Sequence, residues 1–175
     1  MGENEVVTML ELREKAALQT PTDLSKTGAD EIANELRQLL ADVFVLYVKT
    51  KNFRWHVIGR RFRDYHLLLD EQAQQILAMT DDIAEQARKI SGTNIRSTGD
   101  ISRNQRLHDI YDDFVVPHDI LADLSADNER LTRSLRSTHE TCVRGNDVAI
   151  ARLIKNCIDE TERRTWFLFE TSRCL

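Results

Sequence analysis

Across residues 30–56 the apolar positions Ile32, Leu36, Leu39, Leu40, Val43, Leu46 and Tyr47 recur at three- and four-residue spacing, with no proline or glycine between them. That period is the mark of an amphipathic helix. A second helix is expected over about 61–90, where Tyr65, Leu68, Leu69, Ile76, Met79, Ile83 and Ala87 fall on related faces. Gly59 ends the first helix, and Ser91 with Gly92 ends the second. Residues 93–116 form a connection in which a short helix is expected around 105–112. Pro117 suits the first turn of a third helix, which carries Ile120, Leu121, Leu124, Leu131 and Leu135 to about Val143 and closes at Gly145. Asp147 is placed to cap a fourth, running to about Thr171. Helices of roughly 25–30 residues are each near 40 Å long at 1.5 Å rise per residue, and two short links with one long one join them into a four-helix bundle. The expected fold class is all-α.

The 175 residues fit one domain, and six glycines and two prolines are too few for a turn-rich β protein. Residues 1–27 hold no sustained period beyond a possible short helix over 6–18. They are read as an N-terminal arm, leaving 28–175 as the bundle. No apolar stretch approaches the roughly 20 residues that span a bilayer, and residues 1–5 are acidic where a signal peptide would be basic and then apolar. A cytoplasmic protein is expected. Cys142, Cys157 and Cys174 are odd in number and lack CxxC spacing, so they are read as reduced thiols, the first two as packing residues. The net charge of −5 disfavours a surface that attracts nucleic acid all round and suits a protein that handles cations.

Four potential metal ligands stand out on the second helix: His66, Asp70, Asp81 and Glu85. At about 100° per residue they fall near 0°, 40°, 60° and 100°, on one stripe. About 16 Å of rise separates Asp70 from Asp81, so the four cannot close around one ion within a chain. Both pairs centre on the same point, between residues 75 and 76. Two copies packed antiparallel about a two-fold axis there would set His66 and Asp70 of one against Glu85 and Asp81 of the other, making two identical sites. Imidazole with carboxylates suits a transition metal such as iron. The plainer reading of the same spacing is a solvated helix face with local charge pairs. A di-iron site inside one bundle would need Glu-x-x-His on two helices, and no Glu in this chain has His three residues later.

At these residues the chain resembles the Dps family, the DNA-binding proteins from starved cells. The resemblance lies in LYVKTKNFRWHVIGRRFRDYHLLLDEQAQQILAMTDDIAEQARKISG and, in the last helix, CIDETERRTWFLFE, and it covers most of residues 30–170. It implies a ferritin-like bundle and a hollow twelve-subunit shell with an intersubunit ferroxidase centre at each dimer interface. Fe²⁺ would be oxidised there by hydrogen peroxide in preference to O₂ and stored as ferric mineral, which spares DNA from hydroxyl radicals. His66, Asp70, Asp81 and Glu85 match the family's ligands, and Trp55 matches the Trp beside the centre. Arg54 is the departure, standing where the family normally has a further His ligand. A guanidinium has no lone pair to donate and keeps its charge, so it repels Fe²⁺ and is free to bridge Asp70 or the partner's Glu85. His56 is no substitute, lying about 200° around the helix from residue 54. A weaker or single-metal site is expected; the alternative is a catalytically silent shell or a nucleoid-associated structural protein.

Other residues carry plainer expectations. Trp55, outside the resemblance, reads as core, and Trp166 as packing. Asp147 and Glu140 resemble acids that line the family's cation pores, but a helix cap is the simpler role for Asp147. His108, His118 and His139 read as surface or capping residues. Arg60, Arg61 and Arg63 read as a solvated helix start that also pairs with acids. Direct DNA binding is not favoured, because the arm sets Arg13, Lys15 and Lys26 against Glu3, Glu5, Glu11, Glu14 and Asp23.

Overall fold

The computed structural model describes residues 17–112 and 114–173. Cys174, and most of the segment expected as a short N-terminal helix, lie outside the described residues. The helices are α1 (Lys26–His56), α2 (Phe62–Lys89), α3 (Thr98–Asn104), α4 (Pro117–Arg144) and α5 (Val148–Ser172). No strand occurs among the described residues. α1 packs along α2 and α4 along α5; α1 against α4 and α2 against α5 close the bundle, and α3 lies across α1.

Each boundary has a local cause. The Ser25 hydroxyl accepts the Gly28 N–H at 3.1 Å and starts α1. The Val57 N–H reaches back to the Phe53 carbonyl, and Gly59, at φ 107°, turns the chain into α2. α2 ends with Ser91 in the left-handed region (φ 66°) and the Gly92 N–H on the Ala87 carbonyl at 2.8 Å. A Cβ on Gly92 would lie 2.7 Å from Ala33 Cβ, so this glycine sets how closely α2 approaches α1. Pro117 opens α4, and Asp147 Oδ1 accepts the Ile150 N–H at 2.9 Å to cap α5.

The short helix of the long connection is earlier than expected. It spans Thr98–Asn104, because the Ser97 hydroxyl takes the Asp100 N–H while Asp100 Oδ2 takes the Arg96 N–H at 2.9 Å. Residues 105–112 are not helical. The Arg106 and Leu107 N–H groups donate instead to Asp42 Oδ1, a buried carboxylate of α1, at 2.6 and 3.3 Å. Leu107 is thereby pulled into the core.

Ile32, Leu36, Leu39 and Leu46 of α1 meet Leu69, Ile76 and Ile83 of α2, Leu124 and Leu131 of α4 and Ile154 of α5, all without exposed surface. Each such side chain contributes about 1.5–3 kcal/mol by leaving water. The interior also holds charge. Lys49 Nζ lies 2.6 Å from Asp127 Oδ2 and 3.1 Å from Asp123 Oδ2. Arg164, almost wholly buried, donates to Asn128 Oδ1 and Thr161 Oγ1 but has no described carboxylate in ion-pair range, and burial lowers its pKa to about 10. Both cysteines of the described bundle are buried, which pushes each thiol up to about 12. No described helix is long and apolar enough to cross a membrane.

Candidate metal centre

The Gly59 turn folds the first turns of α2 back on the last turns of α1, and two of the expected ligands meet α1 there. His66 Nδ1 lies 3.1 Å from the Arg54 carbonyl, one of the oxygens a helix end leaves without an intrahelical partner. A carbonyl only accepts, so the Nδ1 proton is fixed on that bond and the lone pair of the neutral ring is left on Nε2, the atom a metal would take. The Phe62 ring, 5.1 Å away centre to centre, flanks the imidazole.

One turn on, Asp70 is surrounded by donors. Arg54 Nε lies 2.8 Å from Oδ1 and Lys51 Nζ 3.3 Å from the same oxygen, while Gln74 Nε2 donates to Oδ2 at 3.2 Å. The Arg54 contact is an ion pair whose angle falls short of a hydrogen bond, so the buried Nε–H keeps no hydrogen-bond acceptor. Sequence reasoning anticipated Arg54 at Asp70 but missed Lys51. The available signal was that residue 51 precedes residue 54 by three and so shares its face of α1.

Asp81 and Glu85 are exposed, and neither has an ion pair or hydrogen bond with a described residue. Among the described residues no three His, Cys, Asp or Glu side chains come close enough to hold a metal. One chain thus brings His66 and Asp70 together and holds Asp81 and Glu85 apart from them, along the same helix.

Trp55 is 62% exposed, not core, beside the Arg54 end of this face. Trp166 also corrects an expectation: it is 60% exposed, because Arg164 and Leu168 set the buried face of α5 and residue 166 lies about 200° from each. His56 Nδ1 is taken by the Asn52 carbonyl at 2.8 Å, away from Asp70. Arg60, Arg61 and Arg63 are exposed as expected, but no ion pair to an acid forms among the described residues; they project into solvent. His108 and His118 are exposed and His139 half-buried, none in a metal-binding group of described residues. Glu140 is exposed, while Asp147 serves as the α5 cap. The bundle interior is a poor cation site, since Lys49 neutralises Asp127 there and Arg164 adds an uncompensated charge.

An all-α bundle with helix pairs α1/α2 and α4/α5 and a long crossover defines a ferritin-like fold, with the candidate ligand stripe on the outside of α2. Residues 33–172 match the family described as Ferritin-like domain. The chain is 31% identical over 148 residues to an uncharacterized low temperature-induced protein of Nostoc sp., covering 84% of this chain and 81% of that one. It is 28% identical over 144 residues to DNA protection during starvation protein 1 of Deinococcus radiodurans, covering 78% and 66%. The solved structure of DpsC from Streptomyces coelicolor shares the fold with a TM-score of 0.84 at 21% identity, covering 87% of this chain and 90% of that one. The chain therefore belongs to the ferritin-like domain family and, within it, to the Dps proteins.

Proposed function

We propose that this chain is the subunit of a hollow, iron-sequestering shell of the Dps type, a cytoplasmic dodecamer built from two-fold dimers. Fe²⁺ bound between subunits is oxidised by hydrogen peroxide, or more slowly by O₂, and stored as ferric mineral, which protects DNA. Two Fe²⁺ each give one electron to one H₂O₂, which takes up two protons as its O–O bond breaks to give two waters, so no hydroxyl radical is released. The observation that carries this reading is that His66 and Asp70 lie at one end of a single α2 stripe and the exposed Asp81 and Glu85 at the other, both pairs centred between residues 75 and 76, as pairing with a second antiparallel copy would require. In that arrangement His66 Nε2 and Asp70 of one subunit receive iron together with Asp81 and Glu85 of the other, and Trp55 lines the approach. The free Nε2 lone pair on a ring already oriented by the Arg54 carbonyl suits this role. Arg54 and Lys51 weaken the site by placing two positive charges on Asp70.

That same contact favours a second reading, a silent shell in which the ferroxidase centre is closed by the ion pair. Anaerobic Fe²⁺ titration of the metal-free assembled protein, followed by peroxide with ferric absorbance recorded, separates the two. Oxidation well above the protein-free rate supports the first; a rate equal to it leaves the second.

A further inference from the structure

The two half-sites on α2 are opposite in charge. Lys51 and Arg54 converge on Asp70 at one end, whereas Asp81 and Glu85, exposed on the same stripe, have no counter-ion among the described residues. No described acceptor takes a hydrogen bond from Arg54 Nη1 or Nη2, and Asp70 is its only described ion-pair partner. Between the two ends the stripe carries Leu77 beside the exposed Gln74, and Leu67 lies next to His66. Leu77, 41% exposed, lies at about 20° on the stripe and Leu67, 58% exposed, at about 100°. An antiparallel copy centred between residues 75 and 76 sets Leu67 against Ala84 and Leu77 against Gln74. It also brings the basic end of each helix to the acidic end of the other. Complementary charge at its two ends is what lets such a face dock on its own copy about a two-fold axis.

We infer that Arg54 pairs at once with its own Asp70 and with Glu85 of the partner subunit, forming an ion pair between the copies at the position where the ligand pattern would otherwise place a metal cation. The inference rests on the two-fold dimer proposed above and deepens it: the pair ties the two copies together, and iron entering the site must displace a guanidinium. A planar group with five donors can hold two carboxylates at once in a fixed geometry, which an ammonium on a flexible stem does less well.

Sedimentation velocity over a dilution series in EDTA, at low and high salt, tests it, with far-UV circular dichroism to verify folding. The wild type is expected to assemble without metal and to dissociate at higher protein concentration as salt screens the pairs. Glu85 bonds to nothing described in its own chain, so Glu85→Gln leaves the fold intact and acts only between chains. Both Arg54→Gln and Glu85→Gln are expected to raise the dissociation concentration about tenfold at low salt. Arg54→Glu is expected to raise it further, and Arg54→Glu combined with Glu85→Arg to restore assembly. Single variants that dissociate like the wild type, or a charge-reversed pair no better than Arg54→Glu, would overturn the inference while leaving the dimer standing. A wild type that is monomeric at every concentration would overturn the dimer itself, so the two failures are distinct.

Discussion

Asp70 meets Arg54 and Lys51 at one carboxylate oxygen and Gln74 at the other. Replacing the guanidinium by a neutral ligand should therefore act twice, by adding a lone pair and by removing a positive charge 2.8 Å from the carboxylate. Arg54→His is predicted to tighten Fe²⁺ binding and raise peroxide-driven oxidation about 10–100-fold over wild type, measured by anaerobic titration and ferric absorbance. An unchanged affinity would show that Arg54 does not limit the site. At the opposite extreme of reactivity stand Cys142 and Cys157, whose burial pushes both thiols to about 12 and leaves almost no thiolate at neutral pH. A Cys174→Ser variant should show no thiol reacting with an aromatic disulfide reagent at pH 8 until the protein is unfolded. Much of the candidate centre was legible residue by residue, because helical spacing alone puts His66, Asp70, Asp81 and Glu85 on one stripe. The bond from His66 to the Arg54 carbonyl and the reach of Lys51 were not, since they arise where the end of α1 meets the start of α2, a meeting fixed by the Gly59 turn and not by either helix's period.

At the scale of elements, the period of apolar residues located the four long helices to within a few residues, because each buries a continuous stripe. The crossover helix lies at Thr98–Asn104 instead of 105–112 for an identifiable reason. The Ser97 hydroxyl accepts the Asp100 N–H while the Asp100 carboxylate accepts the Arg96 N–H, a cap whose residues read as Ser-x-x-Asp, whereas the segment after it is held open by Asp42, far away on α1. Asp42→Ala would leave the Arg106 and Leu107 N–H groups without their acceptor and is predicted to cost about 3 kcal/mol in urea unfolding, with faster amide exchange confined first to residues 106 and 107. Full retention of stability would mean that this carboxylate does not anchor the crossover. Packing between α1 and α2 is tested at Gly92, where a methyl group would meet both Ala33 Cβ and the Ala87 carbonyl at 2.7 Å. Gly92→Ala is predicted to destabilise by about 1–3 kcal/mol, read as a lower midpoint of thermal unfolding.

For the whole molecule, the fold gives the bundle interior buried cations and sets the candidate ligand stripe outside it. Lys49 and Arg164 occupy it with positive charge, and the ligand stripe lies outside, on a face that carries exposed Leu67 and Leu77 as well as carboxylates. On the proposed reading a single chain holds two incomplete sites, and function belongs to the assembled protein. Sharing of the site between subunits is tested most directly by complementation. His66→Ala and Glu85→Ala chains are each disabled in both sites of their own dimer, but a mixed dimer regenerates one intact site, with the second carrying both lesions. After dissociation and reassembly of an equal mixture, half of randomly formed dimers are mixed, so about a quarter of wild-type peroxide-driven Fe²⁺ oxidation should return while neither parent is active. A mixture as inactive as its parents, alongside an active wild type, would contradict a centre shared between two copies.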